Sequence, residues 1–267
     1  MRKKGNRTKV KAKRKRINYN VVYFIPSLLT ILNLYMGFVS INFAIKGKFQ
    51  LSGLFIILAA VMDLMDGRTA RALRSSTPLG RELDSIADIV SFGVAPSILI
   101  YLWALKDFPK LGYFVSFLFL VAGALRLARF NVLAKNGITS KKYFVGLPIP
   151  SAAIILTSTV IFFQKPPEWN LFPILLGVIV FLTAFLMISK FKFRSFKDVN
   201  LKSKEHYLTL FFFSIALSAL AAWPTKTLFF LSYGYAISGP VLAIKEFIKK
   251  VEKIEDEKEN EQAKQTI

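Results

Sequence analysis

An all-α, polytopic bundle of about eight membrane-spanning helices is the fold class this sequence predicts, and three observations predict it. Of its 267 residues, 54% are hydrophobic and the mean hydropathy is +0.45, above the apolar share of about 45–50% usual in soluble domains. The chain nevertheless carries 37 Lys and Arg against 16 Asp and Glu, a formal net charge of +21. Both facts hold together only if apolar and basic residues occupy separate blocks. They do: apolar stretches fall at about 21–45, 50–73, 80–105, 111–134, 146–164, 169–189, 205–223 and 227–248.

Residues 1–20 hold ten Lys and Arg and no acid, which reads as a solvated basic arm. The arm resembles the first region of a signal peptide, but the apolar run after it is too long for one and lacks a small-residue cleavage pattern. It is expected to stay attached. A nucleic-acid role fits poorly with the spans that follow, so no nucleic-acid partner is expected. Most apolar stretches reach the roughly 20 residues that cross about 30 Å of hydrocarbon as a helix, with 146–164 the shortest. The connections at Lys46 to Lys48, Lys106 to Lys110 and Gln164 to Glu168 are short, as antiparallel neighbours in a bundle require. No stretch alternates with period two over a barrel-strand length, which argues against a membrane β-barrel. The organisation expected is a basic arm (1–20), a membrane domain (21–200), additional helices (201–250) and a charged tail (251–267) that extends the last helix and frays into solvent.

Threading eight spans through these blocks puts 29 Lys and Arg on the side of the N-terminus and six on the other, with Arg126 and Arg129 inside a span. That bias places both termini and the 74–79 loop in the cytoplasm of a cell (inner) membrane protein. The same surface should attract anionic membrane lipids. With no cysteine and a single histidine, His206, thiolate metal sites, disulfides, Cys nucleophiles and His-rich centres are excluded.

Four acids lie inside the second and third stretches: Asp63, Asp66, Asp84 and Asp88. A carboxylate in hydrocarbon costs several kcal/mol at least, so four together must be neutralised by protons, basic partners or metal. Asp63 and Asp66 are three residues apart, Asp84 and Asp88 four apart, so each pair shares a helix face. Measured from a turn near Ser76 the two pairs lie at matching depths, roughly 12–20 Å along the helices, and the four can converge in a cleft open to the cytoplasm. An all-oxygen cluster favours Mg²⁺, Mn²⁺ or Ca²⁺, and four negative charges are enough for two such ions, the arrangement that clamps phosphoryl groups. Gly67, Ala70 and Gly80 leave room beside the acids, although small residues also serve helix packing. Arg71 is available to an anionic phosphate. Arg126 and Arg129, three apart, face one side of the fourth stretch and suit a lipid phosphate or a carboxylate; they also balance the acidic cluster. An ion-coupled transporter accounts for the acids but not for the intervals at which Gly67, Ala70, Arg71 and Gly80 fall.

Those intervals are recognisable. Asp63, Asp66, Gly67, Ala70, Arg71, Gly80, Asp84 and Asp88 match, position by position, the motif of the CDP-alcohol phosphatidyltransferases. The run from Asp84 through Ser91 to Pro96 looks like the phosphatidylserine synthase branch of that family. So do Pro26 through Thr30 to Asn33, Arg126 to Asn131, and Gly146-Leu147-Pro148-Ile149-Pro150. The resemblance covers roughly residues 24–165; the last helices carry no motif.

The resemblance implies transfer of a phosphatidyl group from CDP-diacylglycerol to the hydroxyl of L-serine, giving phosphatidylserine and CMP, in a homodimeric membrane enzyme. Two divalent cations, Mg²⁺ or Mn²⁺, would sit on Asp63, Asp66 and Asp84 with Asp88 beside them, and Asp88 would also be the general base. Gly67, Ala70, Arg71 and Gly80 would form the cytidine-diphosphate pocket, approached by Thr30 and Asn33 from the first span. The motif alone is shared by enzymes with other acceptors (glycerol phosphate, inositol phosphate or choline), so only the branch-like segments select serine.

Overall fold

The computed structural model describes residues 19–73, 77–136, 143–194 and 206–265. Among these, eight helices follow one another: α1 (Tyr19–Ile45), α2 (Phe49–Leu73), α3 (Pro78–Leu105), α4 (Pro109–Lys135), α5 (Ile149–Phe163), α6 (Phe172–Ile188), α7 (His206–Ala222) and α8 (Pro224–Gln265). The segments α1 from Pro26, α2 to Thr69, α3, α4 and α8 to Lys249 are long and apolar enough to cross a membrane. This is a helical membrane protein. The three remaining helices have 15, 17 and 17 residues. The stretch expected over 146–164 is shorter as a helix because Gly146, Leu147 and Pro148 are spent on the turn into α5. The charged tail continues α8 as helix to Gln265.

The first three helices form the frame of the molecule, with α1 packed along α2 more extensively than any other pair. Helix α3 starts sharply: the Thr77 hydroxyl accepts from the Gly80 N–H at 3.0 Å and Pro78 occupies the first turn, an N-cap with proline at a position that needs no donor. Two π-helical segments, Ile89–Val94 and Tyr101–Leu105, interrupt α3. The first follows Asp88 directly and leaves the Ser91 hydroxyl donating to the Asn33 carbonyl of α1 at 2.9 Å. Gly37 permits this approach, since a Cβ there would meet the Ser91 backbone at 2.8 Å.

An element not expected from the sequence is a two-stranded antiparallel pair, β1 (Tyr143–Val145) with β2 (Lys192–Arg194), register Phe144 opposite Phe193. It ties the α4–α5 connection to the segment after α6. Gly146 then turns the chain at φ +79°, with the Met187 carbonyl where a Cβ would stand, a position only glycine fills without strain. The core runs through Phe92, Leu99, Phe119, Leu147, Ile155 and Leu176. Leu175, Phe181, Leu182 and Phe185 of α6 are exposed, as side chains facing lipid are.

Candidate active site

The acids converge between α2 and α3. Asp63, Asp84 and Asp88 each bring a carboxylate oxygen into a group whose atoms all lie within 4.8 Å of one another. Asp88 is buried and the other two are half-buried. Three carboxylates at that separation repel unless neutralised, and an all-oxygen set of this kind fits a hard divalent cation.

Helix α1 braces the group from a third side. Asn33, fully buried, donates from Nδ2 to Asp88 Oδ1 at 3.5 Å, while its own Oδ1 is buried with no hydrogen-bond partner. A buried oxygen without a donor is costly in a protein interior and is accounted for where a cation or a ligand donor approaches. One turn earlier the Thr30 hydroxyl donates to the Asp66 carboxylate, with the Pro26 carbonyl 3.1 Å away as a second acceptor. Asp66 is 6% exposed and stands apart from the close group of three, although its charge reaches Asp84.

A cavity of about 510 Å³ opens beside the cluster. Asp63 and Asp88 line it together with Arg68, Arg126, Ser151 and Tyr235, and Phe144 and the Pro148–Pro150 turn close one wall. Arg126 also lines a smaller groove of about 230 Å³, which holds Arg129 among Leu125, Phe130 and Met187. Arg129 is exposed and donates to the Ile188 carbonyl at 3.5 Å. The two arginines therefore share the groove, and of the two only Arg126 also lines the cavity that holds Asp63 and Asp88. Asn131 donates to Ser85 Oγ at 2.8 Å, locking α4 against α3 beside the cluster.

Of the residues expected at the site, Asp63, Asp84, Asp88, Asn33 and Arg126 are brought together, and Thr30 and Asp66 pair alongside. Gly67 is half-buried on α2 and Gly80 half-buried in the cap of α3. The side chains of Ala70 and Arg71, and the 74–76 turn, lie outside the described residues. Three polar lining residues escaped the sequence reading: Arg68, Ser151 and Tyr235. Ser151 follows the Gly146–Pro150 run, which was a usable signal; Tyr235 lies in a helix without any motif.

The sequence profile of the CDP-alcohol phosphatidyltransferases matches residues 23–191. The chain belongs to the CDP-alcohol phosphatidyltransferase family. Its relatives within the family include the CDP-diacylglycerol–serine O-phosphatidyltransferase of Helicobacter pylori (strain J99), 37% identical over 199 residues, which are 73% of this chain and 82% of that one. The enzyme of the same name from Bacillus subtilis (strain 168) is 36% identical over 174 residues, 65% of this chain and 92% of its own. The archaetidylserine synthase of Methanothermobacter thermautotrophicus is 41% identical over 136 residues, 50% of this chain and 56% of its own. A phosphatidyltransferase fold thus occupies α1 to α6, and α7 and α8 lie beyond the family segment.

Proposed function

We propose that this phosphatidyltransferase joins the phosphatidyl group of CDP-diacylglycerol to the hydroxyl of L-serine, releasing CMP, with two divalent cations, Mg²⁺ or Mn²⁺, on Asp63, Asp66, Asp84 and Asp88. The observation that carries this reading is that Asp88 and Arg126 line the same cavity. An acceptor with a hydroxyl to deprotonate and a carboxylate to hold meets a base and a guanidinium there. The relatives support serine from another direction: bacterial and archaeal enzymes whose names differ in the lipid share serine as the acceptor.

In the reaction the serine hydroxyl oxygen forms a bond to the phosphatidyl phosphorus while the bond from that phosphorus to the CMP oxygen breaks. Asp88 takes the hydroxyl proton. Asn33 holds Asp88 Oδ1, which leaves Oδ2 for that proton. Bound cations supply neutralisation of the pyrophosphate and of the charge on departing CMP. Arg126 takes the serine carboxylate by its planar fork, and Arg129 takes a lipid phosphate at the mouth of the apolar groove, where the acyl chains of the donor reach lipid. Gly67, Ala70, Arg71 and Gly80, with Thr30 and Asn33, frame the cytidine diphosphate. Purified protein given CDP-diacylglycerol is expected to release CMP at least about tenfold faster with serine than with glycerol phosphate, inositol phosphate or choline. Equal rates with any of these would refute serine as the acceptor.

The same reading places both termini and the cleft on the cytoplasmic side of the cell membrane, with all eight helices crossing or nearly crossing it. Its support is the charge bias, 29 against six. CDP and serine are water-soluble and need a cleft open to cytoplasmic water, while the donor's chains stay in the adjacent leaflet. Single cysteines placed in this cysteine-free chain test the orientation. In sealed right-side-out vesicles, Ser76→Cys is expected to resist an impermeant thiol reagent until the membrane is opened, and Lys48→Cys to label at once. Immediate labelling at position 76 would reverse the topology.

A further inference from the structure

Helix α8 begins after the family segment ends, yet it reaches the acceptor cavity through Tyr235. Its register there is fixed on both sides. Below, Phe229 stacks on Phe162 with ring centroids 4.5 Å apart, the Ser232 and Ser158 hydroxyls pair at 3.0 Å, and those of Tyr233 and Thr159 pair at 2.8 Å. Above, Gly239 admits the ring of Phe193, and Lys192 pairs with Glu246 at 2.8 Å. The Tyr235 ring itself lies against Phe193, centroids 5.7 Å apart. So β2 and α5 together hold this one side chain at the cavity wall.

What Tyr235 faces there is chemically specific. Its hydroxyl lies within electrostatic reach of the Arg126 guanidinium, whose Nε is buried with no hydrogen-bond partner. A guanidinium with an unused donor and a phenol O–H on the same wall form a receptor for a carboxylate, the fork taking the charge and the phenol one further lone pair. Asp63 and Asp88 line the same cavity, so an acceptor held by its carboxylate at Arg126 and Tyr235 has its hydroxyl end free to meet Asp88.

We propose that Tyr235 is a specificity-determining residue that, with Arg126, receives the acceptor's carboxylate and so selects a hydroxy amino acid over an alcohol that lacks one. This rests on the reading that serine is the acceptor. Helix α8 thereby becomes part of the acceptor site instead of an appendage to the transferase fold.

The test uses the full-length protein in detergent or vesicles, with CMP release measured against serine, against CDP-diacylglycerol and against ethanolamine, which is serine without its carboxylate. Tyr235→Phe is expected to raise the KM for serine about tenfold, to leave the KM for CDP-diacylglycerol unchanged, and to narrow the preference for serine over ethanolamine by a similar factor. Tyr233→Phe, two residues away with its hydroxyl on Thr159, removes a helix contact without touching the cavity and is expected to leave the serine KM unchanged. Tyr235→His, which keeps a ring N–H donor, is expected to recover part of the serine preference. An unchanged serine KM in Tyr235→Phe, or an equal rise in Tyr233→Phe, would overturn the assignment while leaving serine as the acceptor. If the unaltered protein shows no serine-dependent release at all, the acceptor reading itself fails and this inference falls with it.

Discussion

Chelation by EDTA is expected to abolish CMP release, and added Mg²⁺ or Mn²⁺ to restore it. Three carboxylate oxygens within 4.8 Å, in a span, have only a few ways to exist: protonated, paired with a base, or bound to a cation. Arg68 and Arg126 line the same cavity, and two guanidiniums do not balance Asp63, Asp84 and Asp88 together with Asp66. Neutralisation at a transferring phosphoryl group is worth several kcal/mol, so the loss should be about three orders of magnitude or more. A second readout does not depend on turnover. Added Mn²⁺ is expected to raise the melting temperature of the unaltered protein and to raise that of Asp84→Asn much less, because one ligand and one repelling charge are then gone. Full activity in chelator would sink the metal site.

Asp88→Asn is expected to lower kcat by about 10²–10⁴-fold, the usual contribution of a positioned general base, while the KM for CDP-diacylglycerol changes little. The amide is nearly isosteric with the carboxylate and keeps an oxygen for Asn33 Nδ2, so the brace from α1 survives. Asp63 and Asp84 remain to hold cation. Asp63→Asn is expected to damage both nucleotide binding and turnover, because it removes a candidate cation ligand that also lines the cavity. Kinetics that separate kcat from KM distinguish the two roles, and near-normal turnover in Asp88→Asn would remove it as the base.

Much of this site was legible because the motif residues obey simple helical geometry. Spacings of three and four put each acidic pair on one face, and a short turn set the depths of the two pairs equal. Thr30 and Asn33 were likewise legible as first-helix partners, and the structure gives them different acids, Asp66 and Asp88. Separation of Asp66 from the close group was not legible, because it depends on which α1 side chain stands opposite each acid. That Arg126 reaches the acidic cavity and Arg129 does not was hidden for a similar reason. Their spacing puts them on one side of α4, but strand β1 through Phe144 and the end of α6 decide what each guanidinium meets. The β1–β2 pair joins segments almost fifty residues apart, and a three-residue strand carries too little pattern to be found locally. Tyr235 gave no signal at all: in an apolar helix an aromatic residue reads as packing until the cavity beside it is seen.

The π-helical stretch after Asp88 has a consequence for how α3 can vary. A wider turn slips the angular phase of everything downstream relative to everything upstream, so the acid-bearing half and the half ending at Leu105 are not geared to each other as they are in an uninterrupted helix. The half carrying Asp84 and Asp88 can keep its orientation toward α1 and α2 while the other half, with Leu99 and Trp103, turns whichever face suits α4 and α5. Chemistry and anchorage share one continuous rod of backbone, yet each sets its own rotation about the axis.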